Sequence, residues 1–294
     1  MRRSCRFREG RMQSYSLSDA MSVTTHLLAD RLLIQDWADD LPWHDVVPEW
    51  LSNEHHLLPV VLRLDDLDDT QRERVEQYLT EDSAEVASAM LICSELSAEA
   101  QARQLARHVV ITLDDDSRAL LRFADPAVFV HLLRVLPLPH LASLCDGASR
   151  WWVPFQGLWY ELEFSGRPEA RWSKLDEFQS IALTNVGLVN DVLATMPEPH
   201  DIKQMWRCSQ EINQWLGAAQ SEFGLVNAHD CVAFARHGCL LGRGFSNHPK
   251  LVPHLRDAVE TPGLYAQATA LFSEKEWNNL IADIERINQK QEAP

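Results

Sequence analysis

The stretch ALLRFADPAVFVHLLRVL, residues 119–136, decides how the chain is built. It opens on an apolar run, passes through Arg122 and Asp125, and returns to apolar sequence with a different period. Pro126 suits the first position of a helix, where its missing N–H would have no intrahelical partner and its fixed φ is already helical. Asp125, just before it, is a good N-cap. Val128, Leu132, Leu133 and Leu136 then recur at helical spacing. The segment reads as a strand, a joint and an amphipathic helix. Arg122 and Asp125, three apart in apolar surroundings, invite a catalytic reading. Capping accounts for Asp125 without one, and Arg122 is placed to pair with it or with another acid. Arg122, Phe123, Asp125 and Pro126 are therefore assigned as a structural motif.

Toward the N-terminus, VVITLDDDSRALLRF (109–123) has two apolar runs around a polar DDDS turn, the pattern of a β-hairpin. SAEAQARQLARHV (97–109) is a helix with Ser97 as N-cap, and EVASAMLICSEL (85–96) carries a buried strand. DDLDDTQRERVEQYLTED (65–82) is a helix with acidic residues at its start and an apolar pair at Val75 and Leu79. LLPVVLRL (57–64) has strand composition, and HLLADRLLIQDW (26–37) opens the fold as a strand or short helix. Residues 1–24 begin basic, in contrast to the acidic body, and lack the apolar run of a secretory signal. They are read as a disordered or misassigned leader, with Met12 or Met21 as the alternative start.

Toward the C-terminus, HLASLCDG (140–147) is a short helix ended by Gly147, and RWWVPFQGLWYELEF (150–164) reads as strands joined at PFQG. Beyond a polar stretch at 165–172 the rhythm becomes helical: 174–196, 201–224, 227–242 and 273–291 carry apolar residues at three- and four-residue intervals. The expected fold class is α+β. An α/β lobe with a mixed sheet occupies 25–165, and an α-helical lobe occupies 166–294.

Composition narrows the function. There are 27 Lys and Arg against 43 Asp and Glu, a net charge of -16, which is the wrong balance for a nucleic-acid binder. No run of ~18 apolar residues marks a transmembrane helix. The six cysteines (Cys5, Cys93, Cys145, Cys208, Cys231 and Cys239) form no CxxC pair, so reduced thiols in a cytoplasm are the simplest expectation. His229, Cys231, His237 and Cys239 are ligand types for zinc, but H-x-C-x5-H-x-C matches no common zinc spacing and a helix would spread the four over different faces. The simpler reading is a Cys-containing core helix, and no metal or other cofactor is assigned. The acidic runs at 63–69 and 113–117 fall at a helix start and a hairpin turn, where Asp is favoured for local reasons, and neither continues as an EF-hand. No phosphate-cradling glycine loop, GxSxG or HExxH is present, so the chain is expected not to be an enzyme. The alternative is an enzyme with an unrecognised site, such as a metal-dependent hydrolase. Ten Trp residues include Trp43 and Trp50 in a loop and Trp151 and Trp152 in the strand pair. These four are the candidates for interface anchors.

The motif Leu121-Arg122-Phe123-Ala124-Asp125-Pro126 and the order of elements around it resemble the DUF4123 family, adaptor or chaperone proteins of bacterial type VI secretion. LLPVVLRL and AMLICSEL stand where that family has its first buried strands. HLASLCDGASRWWVPFQGLWYELE resembles the short helix and Trp-containing strands downstream of the family's LRF-x-DP core. Ala124 departs from the pattern, since an aromatic is common there. The resemblance spans about residues 26–165, with EFGLVNAHDCVAFARHGCLLGRGFSNHP (222–249) similar to the helical tail of many members. It implies a cytoplasmic protein that binds a toxin effector and helps load it onto the spike protein of the secretion apparatus, without being the toxin itself.

Overall fold

The computed structural model describes residues 6–7, 13–35, 37, 40–82, 88–165, 174–242 and 244–292. The chain divides into two compact units, residues 1–183 and 184–294. Along the first run β1 (Arg6–Phe7), β2 (Ser14–Tyr15), α1 (Leu17–Met21), β3 (His26–Ala29), β4 (His44–Asp45), β5 (Val60–Arg63), α2 (Asp69–Asp82), β6 (Ala89–Ser94) and α3 (Ala98–Ala106). Then come β7 (Val110–Thr112), β8 (Arg118–Leu120), α4 (Pro126–Val135), α5 (Leu138–Leu144), β9 (Ala148–Phe155), β10 (Leu158–Leu162), β11 (Phe164–Ser165) and α6 (Glu177–Thr184).

Seven strands make one sheet in the order β2-β10-β9-β6-β3-β5-β4. Every pairing in it is antiparallel. The class is α+β, and the expected mixed sheet is corrected to an antiparallel one. The reason lies in the centre. β5 and β6 run the same way and are joined through α2, but β3 sits between them and pairs antiparallel with both. Leu28 faces Val61 on one side and Met90 on the other.

All four residues of β3 are buried, so both faces of the sheet are covered. Leu27, Ala29, Val60, Leu62, Leu91 and Trp152 pack on one face with Met21 of α1 and Val75 and Leu79 of α2. Strand alternation sends Trp151 to the other face, where Phe129 of α4 stacks on it with centroids 5.2 Å apart. Coverage on both faces explains why β5 and β6 read as continuous apolar runs rather than alternating ones.

Local chemistry sets the boundaries. Asp68 Oδ1 accepts the Gln71 amide and Gln71 Oε1 accepts the Asp68 amide, a reciprocal cap at the start of α2. In the β7–β8 turn Asp115 accepts the Ser117 amide and Asp116 holds φ 67°, so both acidic runs do local work. The β9–β10 turn places Gln156 and Gly157 at positive φ. The expected disordered leader is corrected for residues 14–21: β2 pairs with β10, and Ala20 and Met21 of α1 enter the core. Residues 1–5 and 8–12 of that leader lie outside the described residues.

The second unit holds α7 (Val186–Leu193), α8 (Ile202–Ser221), α9 (Ala228–Leu241), α10 (Val252–Glu260), α11 (Leu264–Ala270) and α12 (Glu274–Glu292). Its core is built on Phe234, Phe245, Tyr265, Leu216 and Ile212. α9 is central, packed against α8, α7 and α11. Buried Asp230 of α9 accepts the amides of Gly263 at 2.6 Å and Ala266 at 2.8 Å, capping α11 from another element.

Candidate functional site

The opening motif folds as a joint with a third member. Asp125 Oδ1 accepts the Ala127 amide at 2.9 Å and caps α4, with Pro126 in its first turn. Arg122 Nη2 lies 3.2 Å from Asp125 Oδ2. The same guanidinium donates from Nε and Nη2 to Asp30 Oδ2, at 3.0 and 2.9 Å. Asp30 comes directly after β3 and is only 3% exposed, and its Oδ1 accepts the Leu32 amide at 2.9 Å. Phe123 and Ala124 are fully buried beneath the motif. Arg122 thus ties the end of β3 to the start of α4. Burial raises the Asp125 pKa; Arg122 opposes the shift and the Asp30 charge adds to it. Sequence reasoning missed Asp30. Its signal there is one acid at the end of an apolar strand, which names no partner 92 residues away.

The four Trp candidates separate. Trp151 and Trp152 are 0% and 1% exposed, so the interface expectation for them is corrected: they fill the two faces of the sheet. Trp43 is half-buried against the core, its ring centroid 6.1 Å from that of Trp37. Trp50 stands 63% exposed on the 3-10 segment Glu49–Leu57.

The His/Cys set is dispersed along α9. His229 is exposed in its first turn. The Cys231 thiol donates to the Leu225 carbonyl at 3.5 Å. His237 is buried, 2.8 Å from the Tyr265 hydroxyl, and its ring centroid is 4.7 Å from that of Trp277. Burial, with help from the Arg236 charge, pushes its pKa down to about 4. Cys239 is pushed up to about 12, by burial first and then by Glu211 and Cys208. Among the described residues, no three His, Cys, Asp or Glu side chains gather as a metal-ligand set.

A different feature is open to solvent. A cleft of about 700 Å³ lies between the segment carrying Trp50, the C-terminal end of α3 and the β7–β8 ribbon. Arg103, Arg107 and Arg118 line it beside Trp50 and Val110, with Glu49 as the acidic member. Arg103 also pairs with Glu99 at 2.9 Å. The C-terminal end of a helix favours cations through its dipole, which suits Arg103 and Arg107 to the end of α3.

The fold and these surfaces define an α+β protein whose LRF-x-DP motif is a structural joint, with an open arginine- and Trp-lined cleft on the same unit. Residues 34–143 match the family described as Domain of unknown function (DUF4123), and over this stretch the chain is similar to that family. The match takes in Arg122, Phe123, Asp125, Pro126 and every residue named at the cleft, and it begins after Asp30. No curated protein and no solved structure matches the chain. Among the described residues, no helix is long and apolar enough to cross a membrane.

Proposed function

We propose that the chain is a non-enzymatic adaptor or chaperone that binds a type VI secretion toxin effector in the cytoplasm and helps load it onto the spike protein. The observation that carries this reading is the DUF4123 match over residues 34–143, taken with the secretion-adaptor role that resemblance to this family implies. Two structural features support it. The motif most suggestive of catalysis, Arg122 and Asp125, is engaged in capping and in holding Asp30. The matched stretch also carries an exposed Trp in a concave, charged surface, and Trp and Arg are the residues that most often anchor protein interfaces.

The test is co-expression of this chain, as bait, with the proteins encoded beside its gene, then affinity capture and mass spectrometry. Recovery of a toxin and a spike protein in stable complexes is expected. Recovery of neither, under any pairwise co-expression, overturns the adaptor reading.

A further inference from the structure

We propose that the cleft beside Trp50 takes an acidic segment of a partner protein, whose carboxylates meet Arg103, Arg107 and Arg118 while an apolar side chain packs on the Trp50 ring. The inference rests on the adaptor reading for the partner's being a protein, and it adds the chemistry by which that partner is held.

Charge is the first argument. The chain carries a net charge of -16, yet three arginines line one concavity whose lining has Glu49 as its acid. Glu99 neutralises part of Arg103. Among the described residues, no ion pair forms at Arg107 or Arg118. The second argument is the type of cation. Arginine presents a planar fork that matches a carboxylate with two parallel hydrogen bonds, and it is more weakly hydrated than lysine. The third is Trp50. A large ring left 63% exposed on the rim offers apolar contact area at little entropic cost, because few torsions are fixed on binding.

Polyphosphate ligands fit less well. The acidic body repels a nucleic-acid backbone or an anionic membrane over the ~8–10 Å reach of charge at physiological salt. A compact acidic segment entering the cleft meets the arginines at contact distance, where their attraction exceeds that repulsion.

The experiment uses the full chain and a fluorescein-labelled synthetic peptide of alternating Glu and Leu, with a Lys and Leu peptide as control, read by fluorescence anisotropy. The Glu peptide is expected to bind more tightly at low salt and to weaken as salt rises. The double variant Arg107→Glu/Arg118→Glu should lose about tenfold or more in affinity, and Trp50→Ala several-fold, as expected for anchor residues. Both variants change exposed side chains, so their melting temperatures should match the parent. Equal binding of the two peptides, equal binding by the parent and the charge-reversed variant, or displacement of the Glu peptide by a DNA oligonucleotide or phosphatidylserine vesicles overturns the proposal. The two readings fail differently. Capture of the co-expressed effector equally well by parent and charge-reversed chain sinks the cleft proposal and leaves the adaptor. Peptide binding abolished by charge reversal, with no effector captured, supports the cleft and sinks the adaptor.

Discussion

Asp125 divides its carboxylate between two tasks, the Ala127 amide and the Arg122 guanidinium, while Asp30 gives Oδ2 to the same guanidinium and Oδ1 to the Leu32 amide just past β3. The two acids are not equivalent. Asp125 supplies a helix cap, which is worth about 1 kcal/mol. Asp30 accepts three hydrogen bonds, two of them from a charged donor, and bonds of that kind contribute about 1.5–3 kcal/mol. Arg122 is 47% exposed, so water recovers part of the loss. Urea unfolding should show Asp30→Ala costing about 2 kcal/mol and Asp125→Ala about 1 kcal/mol. Asp125→Asn should fall below Asp125→Ala in cost, since Asn caps as well as Asp and avoids ionising a buried carboxyl. If Asp125→Ala proves the more damaging, Asp30 is not the pivot of the joint.

Among the helices, two glycines in neighbouring elements have opposite meanings. Gly238 lies inside α9, and a Cβ there would meet the Trp215 ring of α8 at 2.3 Å. The absent side chain is what lets the indole lie against the helix backbone. Gly217, inside α8, has nothing within 4 Å of a built Cβ. Ala is favoured over Gly in a helix interior by about 1 kcal/mol, so Gly217→Ala should raise stability by about that much. Gly238→Ala meets the same propensity gain but forces Trp215 aside, and overpacking of this kind costs about 1–3 kcal/mol or more. A thermal melt should move up for the first variant and down for the second. Equal shifts would show that Trp215 has another place to go. Helix boundaries also depend on neighbours. The apolar rhythm over 174–196 reads as one helix, but two form, α6 and α7, with Asn185 between them. α10 and α11 are short; the turn between them carries Pro262 and Gly263, and Asp230 caps α11 from across the core.

For the molecule as a whole, two buried histidines contribute to the response to acid. His108 in the first unit and His237 in the second are both pushed down to about 4, by burial first and by neighbouring arginine charge second. In the unfolded chain each titrates near 6.5. Between those values the unfolded state binds protons that the folded state refuses, so stability falls as pH drops from about 6.5 toward 4. For a shift of this size the loss approaches ~3 kcal/mol per histidine. Urea midpoints measured at neutral pH and near pH 4.5 should show a clear decline for the parent. His237→Gln, though less stable at neutral pH, should show a shallower decline. An unchanged slope would mean that His237 is protonated in the fold without penalty.

What was legible in the sequence depends on neighbours within a few residues. The Asp125–Pro126 helix start, the β7–β8 hairpin, the cap at Ser97, the Val75–Leu79 face and the PFQG turn all arise from side chains acting on the backbone close to them. Strand direction was not legible, because an apolar run buried on both faces looks the same whether its neighbours run parallel or antiparallel. Nor was the fate of the Trp residues: Trp50 and Trp151 belong to the same residue type, and only packing makes one a surface anchor and the other a core ring stacked on Phe129. Tertiary packing alone brought Asp30 to Arg122, laid Trp215 on Gly238 and set Trp50 beside the arginines at the cleft. Each of these joins residues far apart in sequence, and such pairings are set by how whole elements bury their apolar faces rather than by any local preference of the chain.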